Sequence, residues 1–380
     1  MGSSSAFVLP DIYIPQKWSQ AANSITSSPT PPITLVCGAS NCGKSTFSRN
    51  LLNVLLTRCN KVAYLETDVG QPEFTPPGFV SLTIVNKVTP DLTIPCLKTP
   101  ERSLFFGDVS SQKDPSTYLK YICSIYDYYR KEYCTFDKRQ NSSKIHLPLV
   151  VNTSGWVKGD GYKVLVNMLK YIGPTHIVKI GISTDLKNIP VGKFGSNGKN
   201  DRRVKLIEIY PARQDSSVPA QKDARLVRDS RIIAYFRQCF PSDSDISTIK
   251  DLANSLTSHC PYNVLIASIK IRRVLHEVPI SEILSSLNAS IVGLAVESEG
   301  PKKLPWCLGL GLVRGIDTVK GMLYLITPVP FGSLKKVNLL LQGNIQIPTS
   351  LLQMREKEAE KKTKQNYALK KDTSKASTTN

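Results

Sequence analysis

The sequence predicts an α/β fold, in which a parallel sheet flanked by helices precedes a small β-rich C-terminal domain and a basic tail. One observation is the order of segments after residue 31. An apolar run, ITLVCG, is followed by apolar residues at helical spacing and then by a second apolar run, KVAYL. This strand, helix, strand order is typical of a parallel βαβ unit. A second observation is the change near residue 259 to short apolar segments separated by Gly and Pro. That texture indicates a β-rich domain.

The remaining elements of the first domain follow in chain order. A short helix is predicted over residues 18–25. A longer one is predicted over 114–133, where Asp114 is placed to cap the helix and Pro115 takes its first position. The tyrosines of this second helix could stack bases, but their helical spacing favours packing in the core. Strands are predicted over 147–156 and 175–183, with a helix over 162–171 between them.

Composition and charge narrow the class of protein. Lys and Arg number 49 against 30 Asp and Glu, a formal charge of +19, which favours polyanionic partners such as nucleic acid. No stretch approaches the roughly 18 consecutive apolar residues of a spanning helix. The nine cysteines are scattered without a CxxC pair, which indicates reduced thiols in the cytosol or nucleus. The Gly-rich basic loop at 192–205 fits either a solvated excursion or an RNA contact.

The strongest motif is GASNCGKS, an unbroken G-x4-GK[ST] pattern between the first strand and its helix. Glycines allow successive backbone N–H groups to surround phosphates, a lysine reaches the β- and γ-phosphates, and the serine hydroxyl ligates Mg²⁺. An ordinary glycine turn is the alternative, but the strand before and the helix after favour a P-loop NTPase. The predicted nucleotide-binding residues are Gly38, Ala39, Ser40, Asn41, Cys42, Gly43, Lys44, Ser45 and Thr46.

A second element, DVGQ, ends the second predicted strand and contributes Asp68 and Gln71. A carboxylate beside the phosphate loop can hold the metal or take a proton from an attacking hydroxyl, and a glutamine can orient the nucleophile. The pattern is common, so its position on the neighbouring strand is what makes it informative. No HRD or DFG set is present, which excludes a protein kinase.

Five blocks in order along the chain resemble the polynucleotide 5′-hydroxyl kinases. They are LETDVGQPEFTPPGFVSL, FFGDVSSQKDP, LVVNTSGW, RDSRIIAYF and LGLGLVRGID. The similarity runs from about residue 31 to 330 and is greatest to the nucleolar branch that acts in pre-ribosomal RNA processing, with the mRNA 3′-end-processing kinase as a cousin. Many members have a β-rich domain before the phosphate loop, whereas 37 residues precede Gly38 here.

The resemblance implies a role for each matching residue. ATP and Mg²⁺ would be bound at the loop, with Ser45 and Asp68 at the metal and Asp68 as the base for the RNA 5′-hydroxyl. A lid that closes on the triphosphate would carry Arg228 and Arg231, for which a solvated helix start is the alternative. The clasp that pins the RNA end would be Thr153, Ser154, Gly155 and Trp156. A tryptophan there can stack on a base without reading its identity, although a core aromatic at a strand end is the alternative.

These expectations predict an ATP-dependent kinase that phosphorylates the 5′-hydroxyl of RNA. By resemblance, it would act in the nucleus, in the nucleolus, beside an endoribonuclease that cuts the internal spacer of the large-subunit rRNA precursor. An ATP-binding scaffold with little turnover is an alternative, and a small-nucleotide kinase or regulatory GTPase is another. The predicted divisions are an N-terminal extension (1–30), a kinase domain (31–258), a β-rich domain (259–352) and a basic tail that becomes disordered (353–380).

Overall fold

The structure, a computed structural model, describes residues 13–89, 96–134, 146–181, 204–212, 223–275, 280–297 and 304–352. The chain forms two compact units: Met1–Arg228 with Glu297–Cys307, and Asp229–Val296 with Leu308–Asn380. The predicted boundary at residue 258 therefore differs from the point at which the units divide, and the four predicted divisions stay predictions. The predicted tail and nearly all of the basic loop at 192–205 lie outside the described residues.

The first unit is built on a seven-stranded sheet. Its strands are β1 Ile33–Gly38, β2 Val62–Glu66, β3 Phe79–Val85, β4 Arg102–Phe105, β5 Leu149–Asn152, β6 His176–Ile180 and β7 Lys205–Ile209. Their order is β4-β3-β2-β5-β1-β6-β7. Strands β2, β5, β1, β6 and β7 are mutually parallel, while β3 and β4 pair antiparallel. The sheet is therefore mixed, and β3 and β4 extend the predicted parallel arrangement at one edge.

Four helices of the first unit pack in two pairs. Helix α1 lies against α2, and α3 lies against α4. The predicted cap of α3 is present, because the Asp114 side chain accepts a hydrogen bond from the Thr117 N–H. The tyrosines of α3 that face inward are buried, as core packing predicts. The helices span α1 Gln16–Thr26, α2 Lys44–Leu56, α3 Pro115–Tyr133 and α4 Asp160–Ile172.

The next helix, α5 (Ala224–Arg237), runs from the first unit into the second. The second unit has a six-stranded mixed sheet, in the order β8-β12-β11-β10-β13-β9. Its strands are β8 Tyr262–Leu265, β9 Lys270–Arg273, β10 Ser290–Val296, β11 Trp306–Asp317, β12 Met322–Ile326 and β13 Leu339–Gln342. Its other helices are α6 Ile249–Ser258, α7 Ile280–Leu287 and α8 Phe331–Leu334.

The predicted α/β class with a second β-rich part is confirmed by these two sheets. Helix α6 illustrates how local sequence sets an element: Thr248 and Asp251 exchange side-chain and backbone hydrogen bonds as a capping box. None of the helices in the described ranges combines the length and apolar character that a membrane span requires.

Candidate active site

The phosphate loop connects the carboxyl end of β1 to the first turn of α2. Gly43 has φ 96°, and Asn41 has φ 60°, so the chain turns sharply immediately before Lys44. A Cβ at position 43 would lie 2.6 Å from Cη2 of Trp18, and one at position 38 would lie 2.7 Å from the Cys42 Sγ. Because neither contact leaves room for a side chain, both glycines of the motif are required by packing as well as by backbone conformation.

Lys44 folds back over the loop it terminates. Its Nζ donates to the Ala39 carbonyl at 2.7 Å, and the residue is only 6% exposed. This hydrogen bond keeps the Lys44 charge at the loop, which leads into the N-terminus of α2, where an anion is favoured. The loop, Lys44 and the helix dipole thus form a site suited to phosphate oxygens.

The DxxQ turn after β2 is organised by one oxygen of Asp68. Its Oδ1 accepts the N–H groups of Gly70 at 2.9 Å and Gln71 at 3.0 Å. Among the described residues, Oδ2 takes no hydrogen bond. The Asp68 and Gln71 side chains are both half-buried. The carboxylate is thereby oriented by its own turn, with one oxygen left for a cation or a substrate hydroxyl.

Glu66, the last residue of β2, accepts hydrogen bonds from the backbone on both sides of this turn. Its Oε1 accepts the Asp68 N–H at 2.8 Å, and its Oε2 accepts the Glu73 N–H at 3.0 Å. Burial, and then the nearby Asp68 carboxylate, raise the pKa of the Glu66 carboxyl well above its ordinary value. Glu73 in turn pairs with Arg49 of α2 at 2.9 Å, with both side chains buried. The DxxQ turn is therefore tied to the helix that follows the phosphate loop.

Asn152, the last residue of β5, joins the two motifs. Its Nδ2 donates to Glu66 Oε1 at 3.0 Å and Oε2 at 3.2 Å, and it lies 3.3 Å from the Ser45 Oγ. The register of the parallel strands explains the meeting, because Asn152 pairs with Val36 on one side and with Glu66 on the other. Sequence reasoning missed both Glu66 and Asn152. Polar residues that end neighbouring apolar strands were the available signal.

The predicted clasp begins directly after Asn152. Thr153 is buried, and its Oγ1 donates to the Val36 carbonyl of β1 at 2.9 Å, so this hydroxyl fixes the segment to the sheet. A Cβ at Gly155 would lie 2.7 Å from both the N and the Cα of Ser40 in the phosphate loop. The clasp backbone and the phosphate loop are thus in direct contact.

Trp156 is half-buried, with its ring over the start of α4. A Cβ at Gly161 would lie 2.5 Å from the Trp156 Cγ. Ser154 and Trp156 line a cavity of about 10 Å³, which is roughly the space of one water molecule. Tyr118 also lines it, and its hydroxyl donates to the Thr67 carbonyl at 2.7 Å. Trp156 is therefore neither a fully buried core residue nor an isolated surface ring.

The two predicted lid arginines lie three positions apart on α5. Arg228 is half-buried, and Arg231 is 8% exposed. Arg228 is the last residue of the N-terminal segment of the first unit, whereas Arg231 belongs to the second unit. Their role as a lid stays a prediction.

The glycine-rich loop between β1 and α2, the position of Lys44 and the parallel core of the sheet define a P-loop nucleotide-binding protein. The family model described as "mRNA cleavage and polyadenylation factor CLP1 P-loop" matches residues 38–238, and the one described as "NOL9-like, C-terminal domain" matches residues 257–348. The chain belongs to the NOL9 family of polynucleotide 5′-hydroxyl kinases. The resemblance seen in the sequence blocks is therefore confirmed.

Three relatives place the chain within this family. It is 55% identical to the polynucleotide 5′-hydroxyl-kinase NOL9 of Arabidopsis thaliana, over 90% of this chain and 94% of that one. It is 33% identical to NOL9 of Danio rerio over 84% of this chain, and 29% identical to NOL9 of Homo sapiens over 84%. The match covers 47% and 50% of those two proteins, so the chain spans about half the length of the vertebrate relatives.

Solved structures support the fold. A structure of Clp1p with Pcf11p superposes with a TM-score of 0.61 at 17% identity, covering 87% of this chain and 79% of that one. A wild-type Clp1p–Pcf11p complex gives a TM-score of 0.60 at 16% identity, with coverage of 86% and 77%. At this identity the likeness shows a shared fold alone.

Proposed function

We propose that the chain is a kinase that transfers the γ-phosphate of ATP to the 5′-hydroxyl of RNA. The observation that carries this proposal is the contact between the clasp and the phosphate loop, where Gly155 lies against Ser40. A nucleotide site with an aromatic side chain at its edge suits a nucleic-acid strand as the acceptor of the phosphate. The names of the NOL9 relatives, all polynucleotide 5′-hydroxyl kinases, support the same reading.

The residues at the loop fit a magnesium nucleotide. The Ser45 hydroxyl and the Asp68 carboxylate are hard oxygen ligands, and Mg²⁺ typically takes one or two protein ligands together with phosphate oxygens and waters. When bound, the ion would neutralise charge that develops on the phosphates during transfer. Lys44 would act in the same direction at the β- and γ-phosphates. The loop amides and the start of α2 would hold the triphosphate in place.

Asp68 is the residue best placed to handle the acceptor proton. Its Oδ1 is occupied by the turn, so Oδ2 would face the 5′-hydroxyl or the metal. General bases of this kind contribute about 10²–10⁴-fold to a rate. Gln71, one residue after the turn glycine, would orient the nucleophile. Phosphoryl transfer depends mostly on such positioning and on charge neutralisation, and Arg228 and Arg231 would add positive charge from the lid.

The clasp would hold the end of the RNA. Base stacking on an aromatic ring is tolerant of sequence, and Trp156 offers a half-buried ring that lies against Gly161. The buried Thr153 anchors this segment to β1, while Ser154 and Gly155 bring it to the loop. The +19 formal charge would attract a polyanionic strand over longer range.

We propose that the setting is pre-ribosomal RNA processing in the nucleolus, beside an endoribonuclease that leaves the 5′-hydroxyl end. The names of the NOL9 relatives and the similarity to the nucleolar branch support this setting. Fluorescent tagging of the full chain would test the location. Isolation of the tagged chain should recover a nuclease whose product begins with a 5′-hydroxyl, and a uniformly cytoplasmic signal would contradict the proposal.

The transfer reaction itself is tested with [γ-³²P]ATP and a short RNA that carries a 5′-hydroxyl. Label should appear on that RNA, but not on the same RNA with a 5′-phosphate, and a DNA of equal sequence gives the preference. Lys44→Ala should abolish the signal. If the wild-type chain binds ATP and labels no oligonucleotide, the chain is an ATP-binding scaffold instead. If mononucleosides are labelled as well as RNA, it is a small-nucleotide kinase.

A further inference from the structure

We infer that Asn152 is a positioning residue that holds the Ser45 hydroxyl in the orientation required by a magnesium nucleotide. This inference rests on the proposed function only for the identity of the nucleotide. Asn152 lies at the end of β5, immediately before the clasp, and is fully buried. It is not part of the phosphate loop, the DxxQ turn or the clasp. Its side chain contacts Ser45, which follows the loop, and Glu66, which holds the backbone of the DxxQ turn.

The hydrogen bonds of Asn152 place its amide nitrogen toward Glu66 and Ser45 and its oxygen toward Ser48. Its Nδ2 faces both oxygens of Glu66 at 3.0 and 3.2 Å and the Ser45 Oγ at 3.3 Å. Its Oδ1 accepts from the Ser48 Oγ at 3.4 Å. The donor side is therefore the side that meets Ser45.

This donor determines what the Ser45 hydroxyl can offer. A serine oxygen has two lone pairs and one hydrogen. When the Asn152 N–H occupies one lone pair, the second lone pair remains for a cation, and the hydroxyl hydrogen must turn away from both. Without the amide the hydroxyl could rotate and direct its hydrogen toward the cation. Asn152 would thus reduce the rotational freedom that the metal ligand loses on binding.

The network also relates the two sides of the metal site. Glu66 receives the Asp68 N–H and the Asn152 amide on the same oxygen, Oε1. A single buried carboxyl thereby sets the positions of both the residue that supports Ser45 and the backbone of Asp68. Removal of such supporting partners typically lowers metal affinity by about 10–100-fold. Asn152 should have an effect in this range on Mg²⁺.

The test measures binding of a fluorescent ATP analogue as Mg²⁺ is titrated, without RNA. For Asn152→Ala we expect the half-saturating Mg²⁺ concentration to rise about 10-fold or more, with binding in EDTA unchanged. Asn53→Ala is the matched control. It also removes an asparagine that makes two hydrogen bonds, here to the backbone of Thr89 from a half-buried site on α2, and it should leave the Mg²⁺ dependence unaltered.

A double-mutant cycle makes the inference specific. In a Ser45→Ala background, the Asn152→Ala change should have no further effect on Mg²⁺ dependence, because the hydroxyl it positions is gone. If Asn152→Ala does not fold, Asn152→Val replaces it, since a β-branched residue suits the strand and valine has no hydrogen-bond donor. The inference is wrong if Asn152 variants lower the melting temperature without moving the Mg²⁺ titration, or if their effect persists without Ser45.

The result of this Mg²⁺ titration can be interpreted independently of the proposed function, because the titration contains no RNA to accept a phosphate. If the chain labels no RNA and the Asn152 effect on Mg²⁺ is present, the proposed reaction falls and the positioning role stands. If RNA is labelled and the Asn152 variants have normal Mg²⁺ dependence, the reaction stands and the positioning role falls.

Discussion

Gly155 lies against Ser40 so closely that a Cβ at position 155 would come within 2.7 Å of the Ser40 backbone nitrogen and Cα. Real Cβ atoms essentially never approach a neighbouring atom within 3.0 Å, and the neighbour here is main chain rather than a flexible side chain. The segment after β5 and the phosphate loop therefore depend on each other for their shape. Residues 115 positions apart in sequence share one contact at the site.

Gly155→Ala should distort the phosphate loop and weaken ATP binding by about tenfold or more, which corresponds to about 1.4 kcal/mol. Equilibrium binding of a fluorescent ATP analogue measures this change. Gly332→Ala is the matched control, because a Cβ at position 332 would meet nothing within 4 Å. Equal ATP affinity in the two variants would show that the loop accommodates the methyl group without loss.

Asp68→Asn should lower turnover by about 10²–10⁴-fold, a larger loss than its loss of ATP affinity. The asparagine oxygen can still accept the Gly70 and Gln71 N–H groups that Oδ1 accepts now, so the turn is preserved while the charge is removed. Single-turnover transfer to a 5′-hydroxyl RNA measures the rate. Near-normal turnover with a lowered melting temperature would instead assign Asp68 a structural role.

Trp156→Ala should weaken RNA binding by about tenfold to a hundredfold, since stacking on one ring is worth roughly 1–3 kcal/mol. Trp156→Phe should recover most of the loss. Fluorescence anisotropy of a labelled 5′-hydroxyl RNA measures both. Equal losses in RNA binding, ATP binding and melting temperature for Trp156→Ala would show that the ring is a core residue.

Gly161 supplies the complementary variant for the same prediction. Gly161→Ala places a methyl group 2.5 Å from the Trp156 Cγ and must displace the ring, so it should lower RNA affinity with the tryptophan still present. In other respects the change favours a helix by about 0.5–1 kcal/mol. Unaltered RNA binding in Gly161→Ala would mean that the orientation of the ring does not matter.

Arg49→Met should destabilise the first unit by about 3–5 kcal/mol, because it removes the guanidinium partner of a carboxylate that stays buried. The Arg49–Glu73 pair at 2.9 Å has side chains only 3% and 5% exposed. Urea denaturation measures the change. Lys163→Met removes an exposed pair of the same length, with Asp160, and should leave the denaturation midpoint unaltered. Similar midpoints for both variants would show that burial does not strengthen the Arg49 pair.

His176 should make the first unit less stable as the pH falls below about 6.5, the ordinary histidine value. Burial, and then Lys205, lower the pKa of His176. Between that lowered value and about 6.5 the unfolded chain binds a proton that the folded chain does not, so the free energy of unfolding decreases with falling pH. Above pH 7 both states are neutral at this residue, and its contribution is constant.

Urea midpoints at pH 7.5 and pH 5.5 check this dependence. His176→Gln should reduce the difference between the two midpoints, and the histidine NMR resonance lost in that variant should titrate below the ordinary value in the wild type. An unchanged difference in midpoints, or a resonance that titrates above 6.5, would contradict the prediction.

Local sequence was sufficient for the elements that carry the nucleotide motif. The run ITLVCG and the glycines after it predict β1 and the loop, because a buried parallel strand is continuously apolar. Strand β3 is a different case: FVSLTIV alternates apolar and polar residues from Val80 to Ile84, a strand pattern that sequence reasoning missed. Its polar residues Ser81 and Thr83 are nevertheless buried, which the alternation does not predict. The four-residue β4 is too short for any periodicity. Strand β4 could therefore be located only from its pairing with β3 in the sheet.

The hydrogen-bonded support of the site could not be read from spacing. Glu66 and Asn152 are 86 positions apart, and each is an ordinary polar residue at the end of an apolar run. Only the register of β2 with β5 makes them neighbours. By contrast, Lys44, Asp68 and Trp156 could be named in advance, because each lies in a block with a family pattern. Their surroundings depend on tertiary contacts, as the burial of Thr153 illustrates.

Helix α1 places a tryptophan beside the phosphate loop. Trp18 packs edge-on against Phe47 at 5.6 Å, donates its Nε1 hydrogen to the Tyr210 carbonyl, and touches Gly43 of the phosphate loop. Of the chain's three tryptophans, one therefore borders the nucleotide loop and a second, Trp156, belongs to the clasp. Intrinsic emission is therefore expected to respond to ATP at Trp18 and to RNA at Trp156 without any attached dye, and replacing both Trp156 and Trp306 with Phe would isolate the signal from the loop side.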